Sequence, residues 1–228
     1  MNQEASHPYR TRIWDLPTRV FHWALALCVV GLVISGDIGG SAMLWHFRFG
    51  QAVMTLLMFR LLWGVMGGHW SRFSSFPLRP RALADEVRGR NTVQLRTGHG
   101  ALGSLAVLAF GLVLLAQVGS GLMSDDEIAF AGPLTHLVSG ATVSTASAYH
   151  KTIGKLILIA LVLLHLIAIA WHSFKGHAIV GAMFHGDKAL QQPMPASRDD
   201  WRTRLLAVAL LVACWSLSAW VFGLAPSV

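Results

Sequence analysis

The sequence predicts an all-α integral membrane protein with five transmembrane helices, and three observations support this. Hydrophobic residues make up 54% of the 228 residues and charged residues only 13%, about half the charged share of a soluble globular protein. Five segments are long, apolar and nearly free of charge. Lysine and arginine are concentrated in alternate loops between those segments. The composition therefore excludes a soluble domain and a disordered or collagen-like chain.

The five apolar segments are each near the length that a membrane helix needs, about 20 residues at ~1.5 Å rise per residue. They are roughly Val20–Ser35, Phe47–Gly67, Ala101–Met123, Ile153–Trp171 and Leu205–Phe222. The first is short, and Trp14–Thr18 extends it into the interface. The alternating ten-residue strands of a membrane barrel are absent from the sequence. We expect an interfacial tryptophan belt made of Trp14, Trp23, Trp45, Trp63 and Trp70.

The distribution of positive charge predicts the topology. Residues 36–45 and 124–149 contain no lysine or arginine, whereas the N-terminus and the loops after the second and fourth spans are rich in both. The positive-inside rule then places the N-terminus in the cytoplasm of a bacterial inner membrane and the C-terminus in the periplasm. This predicts a cytoplasmic N-terminal segment (1–19), a cytoplasmic linker (181–204) and a last transmembrane helix (205–222). The net charge of +7 is explained by the lysine and arginine residues of the cytoplasmic segments, which orient the protein in the membrane. We therefore expect membrane lipid, and no nucleic acid, as a partner.

Four histidines fall at matched depths within the predicted spans. His46 and His150 lie at the external starts of spans two and four, and His22 lies near the cytoplasmic start of span one. His165 follows His150 by fifteen residues, ~22 Å deeper and about 60° around the same helix. Two pairs result, with His172 as a rival to His165. Paired imidazoles across a bundle suit six-coordinate haem iron, and they suit zinc less well because no cysteine or carboxylate completes a tetrahedral site.

Several motifs resemble those of the prokaryotic cytochrome b561 family, b-type membrane cytochromes that include hydrogenase-linked subunits. They are R-I-W-D-L-P-T-R-V-F-H-W (Arg12–Trp23), W-H-F-R-F-G (Trp45–Gly50), F-R-L-L-W-G (Phe59–Gly64), H-G-A-L-G (His99–Gly103) and Y-H-K-T-I-G with L-L-H-L (Tyr149–Leu166). The resemblance implies a four-helix haem-binding bundle over residues 20–180, with two haem b groups whose ligands map to His22, His46, His150 and His165. The family's fourth-helix spacing is commonly one residue shorter, which predicts a local helix irregularity or a different partner.

These observations lead to one functional hypothesis with two alternatives. We expect a di-haem cytochrome that carries electrons between a quinol or redox partner, such as a c-type cytochrome or a hydrogenase, and an acceptor. Arg19 and Lys155 are candidates for pairing with haem propionates, and snorkelling to lipid headgroups is the alternative. One alternative function is the membrane anchor of a larger oxidoreductase such as a hydrogenase. The other is a proton-coupled transporter, for which inverted repeats or discontinuous helices would be expected.

Overall fold

The computed structural model describes residues 9–90, 97–175 and 179–225. Parts of the predicted N-terminal segment (residues 1–8) and of the predicted bundle (91–96 and 176–178) lie outside the described residues. The secondary-structure elements, in chain order, are β1 (Tyr9–Arg12), α1 (Leu16–Ile38), α2 (Met43–Met66), α3 (Pro80–Val87), α4 (Ala101–Leu122), α5 (Gly140–Ala148), a π-helical stretch (Tyr149–Gly154), α6 (Lys155–Phe174), α7 (Ile179–His185), β2 (Asp187–Leu190) and α8 (Trp201–Phe222).

Five helical segments within the described residues are long and apolar enough to cross a membrane. They are Leu16–Ile38, Gly40–Met66, Ala101–Leu122, Gly140–Phe174 and Trp201–Phe222. The predicted all-α fold with five spans is confirmed. Four of the five helical segments begin before the predicted span, because helix propagation costs little once a long helix has formed and polar residues at a membrane interface do not interrupt it.

The described residues divide into two compact units. The first is drawn from residues up to Val20, from Leu62–Leu108 and from Ile167–Ala207. The second is drawn from Phe21–Leu61, Ala109–Leu166 and the residues from Val208 onward. All four paired histidines belong to the second unit.

The first unit contains a short antiparallel sheet. Tyr9 on β1 is opposite Leu190 on β2, and Arg12 is opposite Asp187. The Arg12 side chain donates to Asp187 at 2.5 Å and also pairs with Asp199. A small apolar core accompanies the sheet, with Ile13, Trp14, Trp70, Ala182 and Leu190 buried and Met183 and Met194 packed against them.

A fully buried carboxylate, Asp15, fixes the beginning of α1. It accepts hydrogen bonds from the Thr18 backbone at 2.8 Å, the Ser71 hydroxyl at 2.7 Å and the Trp63 indole at 3.2 Å. The bond from Thr18 makes Asp15 the N-cap of the helix. Because its charge meets several donors in a water-free position, this carboxylate ties the start of α1 to the segment that follows α2.

The predicted tryptophan belt is wrong for three of its five members. Trp14, Trp63 and Trp70 are buried at 5%, 0% and 7% exposure, whereas Trp23 and Trp45 are exposed. The physical reason lies in their partners. The indole N–H of Trp63 donates to buried Asp15, and that of Trp70 donates to the Pro195 carbonyl at 2.8 Å. An indole with an internal acceptor does not need the membrane interface to satisfy its polar end.

The second unit has an apolar core that draws on four helices. Val53 and Leu57 of α2, Leu114 of α4 and Leu158 of α6 are buried, and α1 contributes partly buried side chains such as Leu25. The last helix, α8, packs beside α2. The Ser218 hydroxyl donates to the Gln51 carbonyl at 3.1 Å, and the Phe222 ring lies over Gly50.

Candidate haem-binding histidine pairs

The structure brings together both histidine pairs predicted from depth. The imidazole rings of His46 and His150 have centroids 6.0 Å apart, with planes at 87°. Those of His22 and His165 are 6.4 Å apart, with planes at 55°. All four side chains are half-buried. Each pair joins two different helices, α2 with the π stretch and α1 with α6.

The two rings of the His46–His150 pair are held in one tautomer by neighbouring helices. Nδ1 of His46 lies 3.0 Å from the Leu32 carbonyl of α1, and Nδ1 of His150 lies 2.9 Å from the Gln117 carbonyl of α4. A carbonyl oxygen only accepts, so each Nδ1 carries the proton and donates. Each Nε2 is therefore left with a lone pair, which is the state required of a metal ligand.

The same three-residue arrangement holds each of these two rings, and we call it the Ser-Gly cradle. In α1 it comprises Leu32, Ser35 and Gly36; in α4 it comprises Gln117, Ser120 and Gly121. In each cradle the first residue supplies the carbonyl, and the serine hydroxyl lies 3.4 Å from the imidazole Nδ1 while it donates to the carbonyl four residues earlier.

The glycine of each cradle makes room for the imidazole. A Cβ at Gly36 would lie 3.1 Å from Cε1 of His46, and one at Gly121 would lie 2.8 Å from Cε1 of His150. Contacts this short force a neighbour to move. The absence of a side chain at these two positions therefore lets each ring lie directly against the neighbouring helix.

The helix that carries His150 and His165 is irregular between them. The residues Tyr149–Gly154 are π-helical, and a π turn holds about one more residue than an α turn. Fifteen α-helical residues would separate the two histidines by about 60°, and the extra residue turns His150 back by about 100°, to about 40° on the other side. The irregularity expected from the long spacing is present, and His165 keeps its place beside His22.

Aromatic packing surrounds the His22–His165 pair. The Trp23 ring lies edge-on to His22 at 5.1 Å, and the Phe110 ring lies edge-on to His165 at 5.7 Å. Nδ1 of His22 is buried and has no hydrogen-bond partner among the residues that the structure describes. The rival residue His172 is exposed, two turns beyond His165. This pair is thus positioned mainly by packing.

Both pairs fit an iron ion bound between the two rings. Two metal–nitrogen bonds of about 2 Å, with about 1.1 Å from each ring nitrogen to its centroid, place the centroids about 6.2 Å apart. The observed 6.0 and 6.4 Å are close to this value. Within the described ranges, no cluster of three or more histidine, cysteine or acidic side chains is placed to hold a metal. Two imidazoles alone suit an iron whose other four ligands come from a porphyrin.

The two cationic candidates for the propionates have partners inside the protein. Lys155 forms an ion pair with Asp37 at 2.9 Å. Arg19 donates to the Phe184 carbonyl at 2.5 Å and lies 3.9 Å from Asp199. Their pairing with propionates stays a prediction.

Sequence reasoning did not identify the Ser-Gly cradles, although a signal for them exists. Val33–Gly36 reads V-I-S-G and Val118–Gly121 reads V-G-S-G, one copy near the end of each of two spans. A repeated Ser-Gly at the same depth as a histidine on the following span would have indicated a paired support.

Comparisons with known proteins identify the family. The sequence profile described as prokaryotic cytochrome b561 matches residues 13–186. A probable Ni/Fe-hydrogenase B-type cytochrome subunit of Azotobacter vinelandii is 27% identical over 142 residues, which cover 50% of this chain and 59% of that protein. A probable Ni/Fe-hydrogenase 1 B-type cytochrome subunit of Escherichia coli K12 is 25% identical over 89 residues, covering 32% of this chain and 38% of that protein. The matches thus span less than two thirds of either relative.

Proposed function

Because the chain belongs to the prokaryotic cytochrome b561 family and is a multi-pass membrane protein, we propose that it carries electrons across the bacterial inner membrane through two b haems. His46 and His150 hold one, and His22 and His165 hold the other. The observation that carries this proposal is the matched separation of the two imidazole pairs, 6.0 and 6.4 Å. Haem b bound between two histidines supplies one-electron chemistry, because its iron cycles between the ferrous and ferric states without an open coordination position.

The chain's own residues position the two sites at different depths. His150 and His165 are fifteen residues apart on one continuous helical segment, so their sites are separated by about 20 Å along it. The Ser-Gly cradles orient His46 and His150, and aromatic packing orients His165. The apolar core around Val53, a residue with no exposed surface, keeps water from the interior of the unit. Low polarity there favours electron transfer without a large solvent rearrangement.

The distribution of lysine and arginine supports a cytoplasmic N-terminus and a periplasmic C-terminus. In that orientation the His22–His165 pair lies toward the cytoplasm and the His46–His150 pair toward the periplasm. The electron donor is a quinol or a redox partner protein, and a c-type cytochrome is one partner of the right class.

The relatives favour a second, related function. Both carry names that describe them as B-type cytochrome subunits of Ni/Fe-hydrogenases. In this alternative the chain is the membrane cytochrome of a larger oxidoreductase, and a hydrogenase-like partner performs the catalysis. Co-purification of a large subunit with the tagged protein from its native membrane would favour this alternative.

Pyridine haemochrome analysis of the purified protein tests the two-haem proposal. We expect about two haem b per chain. A ratio below about one per chain would overturn the proposal, and a colourless protein would favour the transporter alternative.

Single histidine variants test the assignment of ligands. His46→Ala and His150→Ala should remove the same spectral component, and His22→Ala and His165→Ala should remove the other. The exposed His172→Ala is the matched control on the same helix, and it should keep both components. Loss of both components in every variant would indicate collapse of the bundle instead of ligand removal.

A further inference from the structure

Gln117 makes two contacts with the same histidine, one through its backbone and one through its side chain. Its carbonyl accepts from Nδ1 of His150 at 2.9 Å, and its side-chain Nε2 donates to the backbone carbonyl of His150 at 3.3 Å. The first contact orients the imidazole, and the second holds the backbone that carries the imidazole.

The side-chain contact falls on the π-helical stretch. Backbone hydrogen bonds in a π turn run to the fifth residue instead of the fourth, so the stretch departs from the regular geometry of the helix around it. A carbonyl oxygen has two lone pairs and can accept a second hydrogen bond. Gln117 donates to the His150 carbonyl from α4 and so links the stretch to a neighbouring helix. Gly154, the last residue of the stretch, leaves the space for it, since a Cβ there would overlap Oε1 of Gln117.

The second Ser-Gly cradle offers a comparison within the same molecule. Leu32 occupies the position in α1 that Gln117 occupies in α4, three residues before the serine and four before the glycine. Both supply a carbonyl to an imidazole Nδ1. His46 lies on the continuous α-helix Met43–Met66. The amide therefore occurs in the cradle whose histidine lies on a π turn, and an apolar residue occurs in the other.

We propose that Gln117 is a positioning residue that pins the π turn and thereby sets the orientation of the His150 ring toward the haem. This inference rests on the proposed function. It goes beyond that function because it assigns to a residue outside the ligand set control over one of the two haems. Both contacts of Gln117 are with His150, a member of the His46–His150 pair. We therefore expect the other pair to be independent of Gln117.

The test compares Gln117→Met with Leu115→Met in the full-length protein. Methionine matches glutamine in length and lacks the N–H donor, and the matched control places the same side chain at an exposed position of the same helix, outside both cradles. The readouts are haem content, the midpoint potential of each haem, and the electron paramagnetic resonance of the oxidised protein, in which the low-spin signal depends on the angle between the imidazole planes. The component lost in His46→Ala identifies the affected haem.

We expect Gln117→Met to shift the potential and the low-spin signal of the His46–His150 haem, or to release that haem alone, while Leu115→Met leaves both haems unchanged. Gln117→Asn keeps a polar amide on a side chain too short to reach the His150 carbonyl, and it should reproduce the effect. This second variant distinguishes loss of the contact from a folding defect of the methionine variant. An unchanged signal in both Gln117 variants, or equal changes in both haems, would overturn the inference. A wild-type protein without haem would instead overturn the proposed function.

Discussion

The two histidine pairs present the same chemical groups at nearly the same separation, but they are held by different means. Directional hydrogen bonds from Leu32 and Gln117 fix both rings of the His46–His150 pair. The His22–His165 pair lies among aromatic rings, and Nδ1 of His22 has no hydrogen-bond partner in the described part of the chain. The difference shows that one bundle can position equivalent imidazoles either by hydrogen bonding or by packing.

The largest expected effect comes from adding a methyl group to a cradle. Gly121→Ala places a Cβ 2.8 Å from Cε1 of His150, and overpacking of this kind costs about 1–3 kcal/mol. We therefore expect the His46–His150 haem to bind about 5- to 150-fold more weakly, measured by haem retention during dilution in detergent. Gly36→Ala, at 3.1 Å from His46, should have a smaller effect.

The matched control for this prediction is Gly119→Ala on the same helix. No atom lies within 4 Å of a Cβ added there, and alanine favours a helix. Equal haem loss in the Gly119 and Gly121 variants would show that the cradle does not depend on the missing side chain.

Removing an aromatic ring tests whether packing positions the His22–His165 pair. Phe110→Ala deletes the ring that lies edge-on to His165. A contact of this kind is worth about 0.5–1.5 kcal/mol beyond area burial. We expect the spectral component of the His22–His165 haem to broaden or disappear, with the other component retained. Val113→Ala, which shortens another side chain of the same core, is the control. A change confined to the His46–His150 component would contradict the distinction between the pairs.

The cradle serines should have a smaller influence. Each hydroxyl lies 3.4 Å from an imidazole Nδ1 whose main acceptor is a carbonyl. Ser35→Ala or Ser120→Ala should therefore shift the potential of the His46–His150 haem by less than about 40 mV, which corresponds to ~1 kcal/mol for one electron. Potentiometric titration measures the shift. A larger shift would indicate that serine is the principal acceptor.

The smallest expected effect is a response to acid at the first turn of α1. Burial alone would raise the pKa of Asp199. The hydrogen bonds from Arg204, from the backbone of Leu16 and from Arg12 outweigh burial and hold that pKa below its ordinary value. Because the pKa is lower in the folded state, Asp199 adds stability that is complete above its unfolded pKa, about 3.9, and is lost as the pH falls further.

We expect the thermal midpoint of the detergent-solubilised protein to fall more steeply below about pH 4 in the wild type than in Asp199→Asn. His22 lies on the same helix as Leu16, so the His22–His165 component should respond before the other. Identical acid profiles of the wild type and the variant would contradict the role of Asp199.

The spans and the pairing of the histidines were predictable because their signals are local. A run of about 20 apolar residues is visible without tertiary contacts, and a fixed helical rise places His46 with His150 and His22 with His165. The family resemblance also pointed to an irregular fourth span, and the π stretch Tyr149–Gly154 accounts for its extra residue.

The supports of the site were not predictable because they depend on neighbours distant in the chain. Gln117 donates to a carbonyl 33 residues away in the sequence. The carboxylate that accepts from the buried Trp63 indole, Asp15, is 48 residues away. Lys155, one of the two candidates for pairing with a propionate, forms an ion pair with Asp37 of another helix. Burial of a tryptophan or pairing of a lysine is decided by such partners and not by the residue's own position in a span.

The antiparallel pairing of β1 with β2 has a consequence for the order of assembly during synthesis. Arg12 and Asp187 are 175 residues apart, so the first strand has no partner until synthesis has reached β2. At about 5–20 residues per second, that interval is roughly 10–35 s. Four of the five spans enter the bilayer within it. The first strand is therefore made before these four spans and reaches its final place only after them, and a chain cut short before β2 would leave it without its partner strand.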